Sequence, residues 1–145
     1  MHARILRLVL PLALLAAVGG CASGSSALAG LTSNPLVSAL TSQLGVSPEQ
    51  AVGGTGAMLG YAQKQLSPDQ FSAVSNAIPG AGEITKAAAP MLGGSPLSSL
   101  ADVGGVFSKL GMSPEMVSKF APILTDQVSK VAGPQVAGLL GGLFK

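Results

Sequence analysis

The sequence predicts an all-α fold, a small Gly/Ala-rich bundle of about six helices arranged as two pseudo-repeated three-helix halves. Three observations lead there. Apolar residues recur at three- and four-residue intervals over most of 35–145, and the two-residue alternation of a half-buried strand is absent. Helix starts are marked by Ser-Pro steps: Ser47-Pro48-Glu49-Gln50, Ser67-Pro68-Asp69-Gln70 and Ser113-Pro114-Glu115-Met116. The hexapeptide Leu44-Gly45-Val46-Ser47-Pro48-Glu49 returns 66 residues later as Leu110-Gly111-Met112-Ser113-Pro114-Glu115. Recurrence at a fixed offset is the mark of a repeated unit.

Along the chain, Arg4 and Arg7 give the first seven residues a positive charge, and Leu8 to Val18 form an apolar run of 11 residues. A helix needs about 20 apolar residues to cross a bilayer. Residues 1–20 therefore read as a signal peptide. Residues 21–34 are small and uncharged, a tether whose 13 residues after Cys21 would span about 20 Å root-mean-square. The helical domain is expected over 35–145.

Its first half, 35–80, opens with a helix carrying Leu36, Leu40 and Leu44. A long helix follows Ser47, with Ala51, Thr55, Met58, Leu59, Ala62 and Leu66 on one face, and a short one follows Ser67 with Phe71, Val74 and Ile78. At each start the serine hydroxyl can accept from a free first-turn amide, and proline lacks an amide that would be unpaired there anyway. Gln50 and Gln70 can return a bond and close a capping box, whereas Met116 cannot. Gly45 and Gly111 suit left-handed helix ends.

Residues 81–95 join the halves, with one helical turn expected near 84–89. The second half, 96–145, repeats the plan. Leu97, Leu100, Val103, Phe107 and Leu110 line its first helix. Val117, Phe120, Ala121, Leu124, Val128 and Val131 line the long one, and Val136, Leu139, Leu140 and Leu143 the last, after Gly133-Pro134.

Two stretches carry resemblances. Val18-Gly19-Gly20-Cys21 resembles a bacterial lipobox, which implies cleavage before Cys21 and acylation, palmitate included, of that residue. The A-x-A site Ala27-Leu28-Ala29 is the alternative, and would release a soluble periplasmic chain. Leu44 to Leu59, with Gly53-Gly54-Thr55-Gly56 as its most specific part, resembles the VcgC/VcgE-like family of exported bacterial proteins of unknown function (DUF2780-type). So do Phe71-Ser72-Ala73-Val74 with Ile78-Pro79-Gly80, and Lys119-Phe120-Ala121-Pro122-Ile123-Leu124. That resemblance spans roughly 36–144. It implies a helical fold and an exported location, and supplies no catalytic residue.

The charge balance then has a simple origin. The formal +2 comes from eight basic against six acidic residues, and Arg4 and Arg7 leave with the signal. Six lysines against six carboxylates remain, with no Arg, His or Trp. Nucleophilic triads need a base, usually His, and no Ser stands three residues before a Lys as in Ser-Lys enzymes. With one Cys and scattered carboxylates, no metal or cofactor site is expected. Nucleic acid binding needs clustered Lys or Arg. Glu49, Asp69 and Glu115 have a plainer role in first turns, and Lys64, Lys109, Lys130 and Lys145 in last turns, against the helix dipole. Glu83–Lys86, Glu115–Lys119 and Asp126–Lys130 have ion-pair spacing, and only Asp102 lacks a local role.

Gly53 to Gly60 is not a dinucleotide loop, since its sixth position is Leu59 and no strand precedes it. Gly56 and Gly60, like Gly138 and Gly142, are spaced for close helix packing. The expectation is a non-catalytic envelope lipoprotein anchored at Cys21, with a structural or protein-interaction role and scope for self-association. Ala22-Ser23 after the cysteine, without Asp, favours an outer-membrane position facing the periplasm. The alternative is a carrier of an apolar ligand or lipid held between the halves by Met58, Met91, Met112, Met116, Phe107 and Phe120.

Overall fold

Serine boxes open three of the helices. Ser47 Oγ accepts from the Gln50 amide at 3.2 Å while Gln50 Oε1 accepts from the Ser47 amide at 2.9 Å. Ser67 and Gln70 repeat the exchange at 3.4 and 3.1 Å. In the computed structural model, which describes residues 28–94 and 96–145, seven helices follow in order. They are α1 (Pro35–Leu44), α2 (Pro48–Gln65), α3 (Pro68–Ala77), α4 (Ala81–Leu92), α5 (Leu100–Lys109), α6 (Met116–Ala132) and α7 (Pro134–Leu143). Residues 28–31 are also helical, and no strand occurs among the described residues.

The all-helical class therefore holds, but the count of six does not. The joining segment is a complete helix, α4, where a single turn was expected. Gly80, at φ 71°, turns the chain into it, and the Ile84 amide bonds back to the Gly80 carbonyl at 2.8 Å. No side chain caps α4, so it lacks the Ser-Pro mark of its neighbours. Pro90 sits in its last turn, where only one backbone bond is forfeited.

The two halves also differ where the hexapeptide repeats. Gly45 and Gly111 are both left-handed, at φ 66° and 76°, but Ser113 is not a cap. Helix α6 starts at Met116, and its entry is tightened by three-residue bonds from Met116, Val117 and Ser118 to the carbonyls of Ser113, Pro114 and Glu115. Without a residue at 116 able to return a bond, the box cannot close and the chain takes the narrower turn. Glu115 thus stands outside the helix and Lys145 beyond the end of α7. Among the described residues, Asp126–Lys130 at 2.6 Å is the one ion pair.

Asp102 gains the role it lacked. Its carboxylate accepts from the Ser98 and Ser99 amides at 3.0 and 2.9 Å, and Ser99 Oγ accepts from the Asp102 amide at 3.2 Å. This is a third box, on α5. The hydrogen bond with the Ser99 side chain, then the one from the Ser98 amide, holds the carboxyl below its ordinary value.

Helix α2 is the axis of the bundle. It is buried on every side from Ala51 to Leu59 and touches all six other helices, α4 most extensively. Its glycines explain how. A methyl group at Gly56 would run into the Ala88 Cβ, one at Gly54 would meet the rings of Phe120 at 2.8 Å and Phe107 at 3.0 Å, and those at Gly53 and Gly60 would meet Leu110 and Leu97 at 2.6 Å. Four glycines cost about 4 kcal/mol of helix propensity relative to alanine. The close approach they permit offsets this by burying neighbours completely. Phe107 and Phe120, both at 0% exposure, pack edge-to-face at 4.9 Å over Gly54. Burial of each is worth about 2–3 kcal/mol, and their geometry adds about 1 kcal/mol.

Thr55 lies in this axis with a buried hydroxyl that has no partner. By contrast α6 is one-sided, with Val117, Phe120, Ala121, Ile123, Leu124 and Val128 buried, and it packs chiefly on α7. Val131, expected in the core, is 59% exposed. The bundle is organised around α2 rather than as two equivalent halves.

Gly56→Ala should lower stability by about 1–3 kcal/mol through overpacking against Ala88. Gly138→Ala, with open space at its Cβ, should raise stability by up to about 1 kcal/mol. Urea midpoints of the two variants, moving in opposite directions from the parent, check this. A second prediction concerns acid. Asp102 has a folded-state pKa below its unfolded one, so its contribution is complete above the unfolded value and is lost as pH falls through the folded value. The stability gap between the parent and Asp102→Ala should therefore narrow on acidification from neutral pH, as read by urea melts.

Candidate functional site

Two matched stripes build an open groove on the surface. On α6 the residues Ser118, Ala121, Pro122, Thr125, Asp126 and Ser129 fall at three- and four-residue steps, and on α7 so do Pro134, Ala137, Gly138, Gly141 and Gly142. The Gly133-Pro134 turn brings the helices together as a hairpin, with Gly133 at φ 85° and the α7 start needing no amide from Pro134. Between the stripes runs a groove of ≈ 780 Å³. Smaller grooves of ≈ 460 and ≈ 540 Å³ flank it, and Ser118 borders all three.

The groove is small-residue and weakly polar. Thr125 Oγ1 is spent on the Ala121 carbonyl at 2.8 Å, and Asp126 pairs with Lys130. Pro122 has no amide to offer the Ser118 carbonyl, which opens the helix ladder at the groove wall. Added methyl groups at Gly138 and Gly142 would meet nothing within 4 Å. The close packing expected from this spacing is thus realised at Gly56 and Gly60 and not at Gly138 and Gly142. Helix α7 has no charged residue and buries only Ala137 and Leu140. Such a surface, to which Phe144 and Lys145 also contribute, can take an apolar or small-residue helix by close approach.

The residues singled out in the sequence are distributed differently. Cys21 lies outside the described residues. Met58, Met112, Phe107 and Phe120 are packed in the core, and Met91 and Met116 are half-buried, Met91 against Gly53. None of these six lines the α6–α7 groove. Among the described residues no three His, Cys, Asp or Glu side chains gather as a metal site, and no helix is long and apolar enough to cross a membrane. Sequence reasoning missed Pro122, Thr125 and Gly141 as groove residues. The available signal was α7 itself, apolar nearly all round yet carrying three glycines in ten residues.

No curated protein and no solved structure matches the chain. The profile of one family, described as protein of unknown function VcgC/VcgE (DUF2780), matches residues 16–143. That span takes in the glycine axis of α2, the α6–α7 groove and Cys21, and starts 20 residues before the region 36–144 in which the motifs lie. With all but the first 15 and last two residues matched, the chain belongs to the VcgC/VcgE family of unknown function.

Proposed function

We propose that this protein is a cell-envelope lipoprotein, anchored by acylation of Cys21 and acting as a non-catalytic protein-interaction module on the periplasmic side of the outer membrane. The anchor rests on the run from Arg4 to Cys21, a positive start, 11 apolar residues and a lipobox-like end. The alternative cut after Ala29 would remove Leu28 and Ala29, of which Leu28 packs against the core and both line a surface groove. The interaction role rests on one observation. The α6–α7 groove is open, Gly138 and Gly142 face open space along it, and at these two positions the glycine weakens α7 with no contact inside the chain to explain it, whereas Gly141 lies against Thr125. Small residues at this spacing suit the close approach of a partner helix.

Cys21→Ala should release the chain from the membrane fraction and remove the mobility shift of acylation; a variant that stays bound with unchanged mobility sinks the anchor. For the groove, a photo-crosslinking side chain at position 138 should capture a discrete protein adduct in intact cells, and one at exposed Gln63 should not. Equal adduct yields at both positions would remove the case for the groove.

A further inference from the structure

We infer that the end of the domain formed by residues 28–34 and the first turn of α2 faces the bilayer, with the lipid headgroup layer as its partner; this rests on acylation at Cys21. The reason is the length of chain left over. Residues 28–34, expected in the tether, belong to the folded body. Leu31 is 6% exposed and Leu28 packs on the core. The Thr32 amide bonds to the Leu28 carbonyl at 3.1 Å, and Asn34 both caps α1 and donates to the Pro79 carbonyl. Only residues 22–27 separate the acylated residue from this fixed point.

Whatever their conformation, the seven steps from Cys21 to Leu28 span at most about 25 Å. A body of the size of residues 28–145 has a radius of gyration of about 13.5 Å, hence a diameter of about 35 Å. The leash is shorter than the body, so the side opposite residue 28 cannot be turned onto the headgroups. Helix α2 supplies the direction. Its first turn, Pro48 and Glu49 with the Ser47 cap, shares a shallow groove with Leu28, Ala29 and Thr32. It is buried on all sides through its middle and exposed again at Gln63 to Gln65, about 24 Å further on at 1.5 Å per residue. The near end therefore presents Thr32, Ser33, Pro35, Ser47 and Pro48, all exposed and uncharged, with Glu49 as its charged side chain. Without a lysine among them, this face meets headgroups through hydrogen bonds and the leash, not through attraction to anionic lipid.

The test uses the acylated full-length mature chain in vesicles of phosphatidylethanolamine and phosphatidylglycerol carrying a headgroup quencher. Acylation consumes the one native thiol, so a fluorophore can be placed on Glu49→Cys or Lys64→Cys, both exposed positions. Quenching at 49 should exceed that at 64 by about twofold or more, given the separation of the ends, and should not change between low and high salt. Inserting about twenty Gly/Ser residues between 22 and 27 should erase the difference, because the leash then exceeds the body. Equal quenching at both sites, stronger quenching at 64, or a strong salt dependence in protein whose intact mass shows the acyl group overturns the orientation. An intact mass without that group overturns the anchor, and the orientation with it.

Discussion

Everything else in this bundle is arranged around the approach of α2 to α4 at Gly56 and Ala88, a contact that leaves no room for one added methyl group. Because α2 meets every other helix, its diameter sets how near they can come. Glycines at 53, 54, 56 and 60 narrow it on each side in turn, toward Leu110, the Phe107–Phe120 pair, Ala88 and Leu97. Few aromatic residues are available, and this is how a chain with 3% aromatics still buries two phenylalanines completely. The capping boxes of Ser47 and Ser67 set where α2 and α3 begin, and thereby which of their residues meet the rest.

Much of the fold was legible because its helix starts are written in short local code. Ser47-Pro48, Ser67-Pro68 and Pro134 begin helices as their chemistry requires, and 3.6-residue spacing filled in the cores of α1, α3 and α5. Helix α4 was not legible in full, since it begins at an uncapped left-handed glycine and carries Pro90, two features that locally argue for a loop. Ser113 misled for the opposite reason. It carries the local code, but the reciprocal partner at position 116 is missing, and the entry to α6 is decided by turn geometry instead. The Asp102 box was hidden because its returning acceptor is a carboxylate where the other two boxes use glutamine.

The site was less legible than the fold. Periodicity cannot tell a stripe of small residues that faces a neighbouring helix from one that faces solvent. Gly56 and Gly138 look alike in sequence, each with another glycine four residues on, and their surroundings are opposite. What separates them is tertiary: α2 is enclosed, whereas α7 has neighbours on one side. The near balance of charge outside the first 20 residues compounds this, since a groove built mostly of Ser, Thr, Pro, Ala and Gly carries only Asp126 and Lys145 as charged groups, and neither stands out among the scattered charges of the sequence. The family carries no assigned activity, so the groove is defined by its shape and by the glycines left open along it.

The enclosed helix at the centre also bears on the order of assembly. A segment with four glycines in 18 residues has little tendency to coil alone, and a short isolated helix is marginal in water even with favourable residues. Its partners lie far along the chain, with Ala88 some 30 residues downstream and Phe107 and Phe120 more than 50. Helix α2 gains its stabilising contacts only when α4, α5 and α6 are present to surround it. A nascent chain ending before α6 would leave that axis unformed, so the polypeptide should stay loose until almost its whole length exists and then order in a single cooperative step.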